Sequence, residues 1–262
     1  MTQCGIVSVM IVFTDLDGTL LDHSSYSYEP ALPAVHRLQT SDIPIIPATS
    51  KTAAEVAPLM EEIGLRGPAI VENGGGVLTA KEPARPSEDY LTVREKLNQL
   101  PASLRSRFTG FGDLGDEGIA KATGLPLDAA RRAGKRQFTE PGTFEGSDDD
   151  LREFLDTLNS LGISAKRGGR FLTLSHGRHS KADRVPGICE TLEASGPVIA
   201  LGDAPNDRAM LEAAEIAIVV KNPDHDGIEI AELANRRVIY TNQPGPAGWN
   251  QAIQSILDEY GI

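Results

Sequence analysis

Two carboxylates, Asp15 and Asp17, stand two residues apart in Asp15-Leu16-Asp17-Gly18-Thr19, directly after an apolar run. Residues two apart project from one side of an extended chain. Close like charges coexist only with a cation or a proton between them, and a hard ion such as Mg²⁺ takes oxygen ligands. The same residues also read as a plain turn, since Asp and Gly favour turns. A second acidic phrase, Gly202-Asp203-Ala204-Pro205-Asn206-Asp207, likewise follows an apolar run. Carboxylates at two strand ends meet the needs of an oxygen-ligand metal site. Thr49-Ser50-Lys51 supplies hydroxyl donors after a third run, and Lys181 supplies positive charge ahead of a helix. A single lysine is by default a solvated surface group. Four elements in this order, each after a strand or opening a helix, are far more specific than any one.

The elements that carry these residues alternate. Val9–Phe13, Ile43–Pro47, Ala69–Val71, Pro197–Leu201, Ile216–Val220 and Arg237–Tyr240 read as strands. Ala31–Leu38, Thr52–Ile63, Lys181–Leu192, Pro205–Ala213 and Trp249–Tyr260 have helical apolar spacing. That alternation indicates parallel βαβ units and an α/β fold. In such a sheet ligands sit beyond the carboxyl ends of the strands, where both acidic phrases fall. Pro44 and Pro47 argue against a central place for their strand. Asn73-Gly74-Gly75-Gly76 is a Gly-rich turn. In the middle of the chain, Asp148-Asp149-Asp150 puts acid at the positive end of a helix, Leu151–Leu161, and Phe171–Leu174 reads as a strand.

Composition sets bounds. The 262 residues are 40% hydrophobic and 24% charged, which suits a soluble globular protein and excludes collagen-like and disordered classes. Two cysteines, Cys4 and Cys189, are too few for a disulfide framework, so a reducing compartment is expected. No apolar run is long enough to span a membrane, and Ile6–Phe13 lacks the basic flank and cleavage site of a signal peptide. The expected location is the cytoplasm. A net charge of −12 excludes a general binder of nucleic acid or anionic membrane, and no obligatory protein partner is indicated. Between Glu82 and His179, 15 basic residues balance 15 acidic ones, leaving 10 and 22 for the outer segments. Such a split hints at one domain inserted into another, though chance variation in surface charge would also produce it.

The ordered set resembles the haloacid dehalogenase (HAD) superfamily of phosphotransferases. Asp15-Leu16-Asp17-Gly18-Thr19 looks like its first motif, Thr49 or Ser50 its second, Lys181 its third and Gly202–Asp207 its fourth. The resemblance implies a Rossmann-like, doubly wound parallel-sheet core formed by residues 1–81 and 180–262. It also implies an inserted α/β cap domain at 82–179. Pro47-Ala48-Thr49-Ser50-Lys51-Thr52 and Val71-Glu72-Asn73-Gly74-Gly75-Gly76 are similar to the mannosyl-3-phosphoglycerate phosphatase family. So are Gly110-Phe111-Gly112-Asp113, Thr123-Gly124-Leu125, Arg136–Pro141 and Gly168-Gly169-Arg170-Phe171. Around the third motif that family usually reads Asp-Lys-Gly, where this chain has Ser180-Lys181-Ala182.

The resemblance implies a Mg²⁺-dependent phosphatase that converts mannosyl-3-phosphoglycerate to mannosylglycerate, a compatible solute. By it, Asp15 attacks phosphorus and forms an aspartyl-phosphate, and Asp17 serves as general acid and then base. Thr49 and Lys181 grip the phosphoryl oxygens. The metal ligands are Asp15, the main-chain carbonyl of Asp17, and Asp203, with Asn206 and Asp207 behind them. Lys51, Asn73, Gly74, Gly75, Arg136 and Arg170 are the candidates for substrate binding, the arginines because guanidinium pairs bidentately with carboxylate. The alternatives within enzymes are phosphatases of glucosyl-3-phosphoglycerate, sucrose phosphate or a hexose phosphate. From another class, a sugar-phosphate sensor would have no need of Asp17. A metal-dependent glycosyltransferase leaves Gly202–Asp207 unexplained, and no P-loop motif is present. His23, His36, His176, His179 and His225 show no metal-ligand spacing. Met10 is an alternative start, with Met1–Val9 then dispensable.

Overall fold

The computed structural model describes residues 10–79, 85–168, 170–223 and 227–262. The expectations for Met1–Val9, Cys4, the boundary at 81/82, Gly169 and His225 lie outside the described residues. The chain forms two compact units: Met1–Thr49, Gly64–Ala80 and Ser180–Ile262 make the first, and Ser50–Ile63 with Lys81–His179 the second.

The first unit is built on a five-stranded parallel sheet. Its strands are β1 (Ile11–Thr14), β2 (Ile45–Pro47), β9 (Val198–Gly202), β10 (Ile216–Lys221) and β11 (Arg237–Pro244), in the order β11-β10-β9-β1-β2. Every residue of β1 is buried, as a continuous β-branched run in a sheet covered on both faces requires. Ile11 and Phe13 point to one face. There, with Ile46, Ala200, Ala217 and Val219, they pack on Val185 and Ile188 of α8 (Val185–Thr191) and on Met210 and Leu211 of α9 (Arg208–Ala213). The alternate residue Thr14 meets Trp249 of α10 (Gly245–Tyr260) on the other face. Helix α1 (Leu32–Thr40) is tied to α10 where Ala34 N–H donates to Asn250 Oδ1 at 2.9 Å. Helices therefore cover both faces, and the core is the doubly wound parallel sheet expected. Each large apolar side chain so buried contributes roughly 1.5–3 kcal/mol.

Chain order reverses between β9 and β1, since β2 lies on one side of β1 and β9 on the other. This switch point opens a crevice beyond the strand ends. The proline-bearing β2 is the outermost strand of the five, as its composition demands. Beyond it, an isolated bridge from Ala48 to Ile70 leads to β3 (Ala69–Val71), which forms an antiparallel hairpin with β4 (Gly76–Leu78). Two expected helices open in a tighter spiral: Lys181–Arg184 and Pro205–Asp207 are 3₁₀ turns leading into α8 and α9. Pro186 in the first turn of α8 has no N–H for the helical ladder, which separates the two segments.

The second unit holds a four-stranded antiparallel sheet of β5 (Phe108–Gly110), β6 (Thr139–Phe144), β8 (Phe171–His176) and β7 (Ile163–Gly168), in that order. Helices α3 (Glu88–Asn98) and α7 (Asp148–Ser160) contribute Val93, Leu97, Phe154 and Leu158 to its core, with Phe108 and Leu174 from the strands. The rings of Phe108 and Phe154 stack with centroids 5.6 Å apart. Ser147, one residue before the acidic triplet, is the N-cap of α7. It accepts from Asp150 N–H, and the Asp150 side chain accepts in return from Ser147 N–H. Helix α2 (Ala53–Ile63) belongs to this unit, where Thr52 Oγ1 donates to the carbonyl of Arg132 at 2.9 Å.

Candidate active site

Asp15 and Asp203 each follow one of the two strands that flank the switch point. Asp15 N–H extends the ladder by donating to Leu201 O at 2.9 Å, which sets the two strand ends side by side. Lys181 Nζ lies 2.6 Å from both Asp15 Oδ1 and Asp207 Oδ1, and all three side chains are nearly sealed from solvent. One carboxylate oxygen from each of Asp15, Asp203 and Asp207 falls within a 4.8 Å cluster. The sequence elements separated most widely along the chain are thus brought together.

Each group is held from behind. Asp207 Oδ2 accepts from the backbone N–H groups of Asp203 and Ala204 at 3.2 and 3.1 Å. A Cβ at Gly202 would lie 2.4 Å from Asp207 Cβ, so glycine is required there. Asp203 accepts from Thr19 Oγ1 on Oδ1 at 2.7 Å and from Asn222 Nδ2 on Oδ2 at 2.6 Å. Gly18 has φ +82°, and its absent Cβ would stand 2.6 Å from Asp203 Oδ2. The backbone of the turn after β1 therefore packs directly against the Asp203 side chain.

Burial is the largest influence on Asp15: it pushes the carboxyl up to about 7, the charge of Asp207 adds to this, and Lys181 opposes it. Asp203 and Asp207 are raised as well, first by burial. For Lys181, burial favours the neutral amine, but Asp15 and Asp207 outweigh it and hold the ammonium charged. Three carboxylates and one ammonium carry a net charge of −2 when ionised. All donors are hard oxygens, and an ionised carboxylate offers about four lone-pair positions, more than the hydrogen bonds above consume. The residues fit a hard divalent cation.

Asp17 is half-buried in the turn that follows Asp15, bridged to Leu21. Thr49 is buried at the end of β2; its N–H donates to Ile70 O and its carbonyl accepts from Asn73 N–H. Asn206 is exposed and donates from Nδ2 to Asn73 Oδ1 at 3.3 Å. Asn73 and Gly74 lie in the turn of the β3–β4 hairpin, with Gly75 next to them. Lys51, Arg136 and Arg170 belong to the second unit. There Arg136 is buried, with Nη2 donating to Thr139 Oγ1 at 2.5 Å. Arg170 is exposed, caps the Thr123 carbonyl at 2.7 Å and lies over the Phe171 ring.

Two partners of Asp203 carried no role in the sequence reading. Thr19 stood in plain view within the first acidic phrase. Asn222 had a weaker signal, a polar residue just past the buried strand β10.

The model of the haloacid dehalogenase-like hydrolase family matches residues 12–125 and 139–242. A glucosyl-3-phosphoglycerate/mannosyl-3-phosphoglycerate phosphatase of Methanococcoides burtonii is 32% identical over 269 residues, covering 94% of this chain and 97% of its own length. A protein of the same name from Persephonella marina is 32% identical over 271 residues, covering 95% and 98%. Among solved structures, a haloacid dehalogenase-like hydrolase from Bacteroides thetaiotaomicron superposes with a TM-score of 0.64 at 18% identity, over 95% of this chain and 99% of that one. No helix among the described residues is long and apolar enough to cross a membrane.

Proposed function

The chain belongs to the haloacid dehalogenase-like hydrolases, and on that premise we propose that it is a Mg²⁺-dependent phosphatase of a hexosyl-3-phosphoglycerate, the mannosyl compound foremost. The observation that carries this reading is the sealed cluster in which Lys181 bridges Asp15 and Asp207 beside Asp203. The product is a glycosylglycerate, a compatible solute.

A phosphate monoester is inert because its charge repels nucleophiles, so catalysis here is positioning and charge neutralisation. An Asp15 carboxylate oxygen attacks phosphorus, and the bond from phosphorus to the glycerate 3-oxygen breaks. Asp17 gives its proton to that departing oxygen. Asp17 then takes a proton from water, whose oxygen attacks the aspartyl-phosphate and frees Asp15 and inorganic phosphate. General acid–base help of this kind is worth about 10²–10⁴-fold. Lys181 and Thr49 steady the phosphoryl oxygens. Asp15, Asp203 and the Asp17 carbonyl would hold Mg²⁺, which would supply positive charge to keep Asp15 ionised and offset that of the substrate. Asp207 keeps Lys181 and the Asp203 loop in place, with Asn206 beside it. The second unit acts as the cap that reads the rest of the substrate, with Arg170 and Arg136 for the glycerate carboxylate. Lys51, Asn73, Gly74 and Gly75 complete the substrate set.

Phosphate release from mannosyl- and glucosyl-3-phosphoglycerate, sucrose phosphate and hexose phosphates, with Mg²⁺ or EDTA, tests the reading. The glycosyl-3-phosphoglycerates are expected to lead in kcat/KM, and EDTA to stop turnover. A preference of about tenfold or more for a hexose phosphate would overturn the substrate.

A further inference from the structure

Three consecutive residues beside the cluster have left-handed backbone: Glu72 (φ +50°), Asn73 (φ +57°) and Gly74 (φ +93°). Only the last is glycine. Left-handed conformations at two adjacent residues that bear side chains are costly and persist only where the surroundings over-determine them. The restraint is visible. Arg184 extends its guanidinium to this turn, donating from Nε to Gly74 O at 2.8 Å and from Nη2 to Gly75 O at 2.9 Å. A Cβ at Gly74 would lie 2.0 Å from Ser180 O, so the backbone of the turn rests on the start of the Lys181–Arg184 spiral. On its other side, Asn73 N–H donates to Thr49 O at 2.8 Å.

One short spiral thus carries two cations. Lys181 reaches Asp15, and Arg184, three residues on, grips the hairpin turn. In a 3₁₀ turn residues three apart lie on the same side, so the position of the ammonium and the shape of the turn are set together. Asn206 occupies Asn73 Oδ1, which leaves Nδ2 as the donor that side chain offers a substrate.

We propose that Arg184 is a positioning residue: its fork on Gly74 and Gly75 holds the strained turn so that Asn73 is aimed at substrate. This deepens the reading above and rests on it for the place of Asn73 in the substrate set and for the identity of the substrate. A lysine places one donor where the fork places two, so it replaces Arg184 only in part.

The first test needs no activity. In hydrogen–deuterium exchange, Arg184→Ala is expected to speed exchange of Asn73–Gly75 amides by about tenfold or more, with β1 and β9 unchanged. Arg184→Lys is expected to fall between the two and serves alone if the alanine variant does not fold. The second test is kinetic, on whichever phosphomonoester the wild type turns over best, a small aryl phosphate included. Arg184→Ala and Asn73→Ala are each expected to raise KM severalfold with a smaller change in kcat, and the double variant to be no worse than either single one. Unchanged exchange in the turn, or independent and multiplicative losses in the double variant, would overturn the role of Arg184. If the wild type ignored glycosyl-3-phosphoglycerates yet these patterns held, the substrate assignment alone would fall.

Discussion

Trp249, the chain's single tryptophan, donates its indole N–H to Thr14 Oγ1 at 3.0 Å, and both side chains are fully buried. The Thr14 hydroxyl in turn donates to the carbonyl of Asp15 at 2.8 Å. The closing helix α10 is thereby tied to the strand end that presents Asp15. Thr14→Val keeps the shape and leaves the indole N–H buried without its acceptor, which costs about 1–3 kcal/mol. Urea denaturation followed by the emission of Trp249 itself will read that loss. An unchanged midpoint would show that the bond contributes nothing.

Asp15→Asn is expected to abolish turnover and, in metal-free protein, to raise stability. The wild-type cluster has a net charge of −2 when ionised, and the substitution removes one of its negative charges. The sign with pH follows from the raised carboxyl of Asp15. Its stabilising contribution is complete below the usual value of 3.8 and is lost as pH rises through about 7. The gain of the Asn variant is therefore largest at pH 8 and shrinks toward pH 4. Thermal melts in EDTA at both values measure it, and a variant less stable at pH 8 would show that the ion pair with Lys181 outweighs the crowding of carboxylates.

In the second unit, Gly110→Ala is expected to destabilise. The new Cβ would fall 2.0 Å from Glu140 Oε1, and Glu140 cannot easily retreat. Its oxygens accept from Arg94 Nη1 at 2.7 Å, Gly112 N–H at 2.9 Å and Tyr90 Oη at 2.8 Å. Displacing a fully buried, triply bonded carboxylate costs about 1–3 kcal/mol for the strain alone. A urea midpoint equal to wild type would mean that the backbone yields instead.

The sequence made the first unit legible because most of its strands are short, largely apolar runs separated by amphipathic helices, so period and position agreed. Asp15, Lys181 and Asp203 stood out because each follows or precedes such an element. Much of the second unit was opaque for the opposite reason. Helix α3 buries only Val93 and Leu97, and its other leucine, Leu91, is exposed, so its apolar stripe is too thin to read. Helix α5 (Phe111–Thr123) is broken at Gly115, whose φ of +65° interrupts the helical period. Arg184 and Asn222 act across gaps in the chain that no local pattern encodes.

Asn222 supplies the last prediction. It lies at the end of β10 and donates to Asp203 Oδ2, while Thr19 takes Oδ1, so both oxygens of Asp203 are oriented before any ligand arrives. Removing an outer partner of a metal ligand typically costs about 10–100-fold in metal affinity. Asn222→Ala is therefore expected to weaken Mg²⁺ binding by about that factor, read as the Mg²⁺ concentration that half-saturates the rise in melting temperature. Ligand linkage makes this readout independent of turnover, because a cation that binds only folded protein raises its stability in proportion to ln(1 + [L]/Kd). Asn222→Asp should be worse, since it replaces the amide donor on Asp203 Oδ2 with a second like-charged acceptor. A Mg²⁺ titration of the alanine variant that overlays wild type would show that Thr19 alone orients Asp203. A wild type with no Mg²⁺-dependent shift would remove the metal from the site altogether.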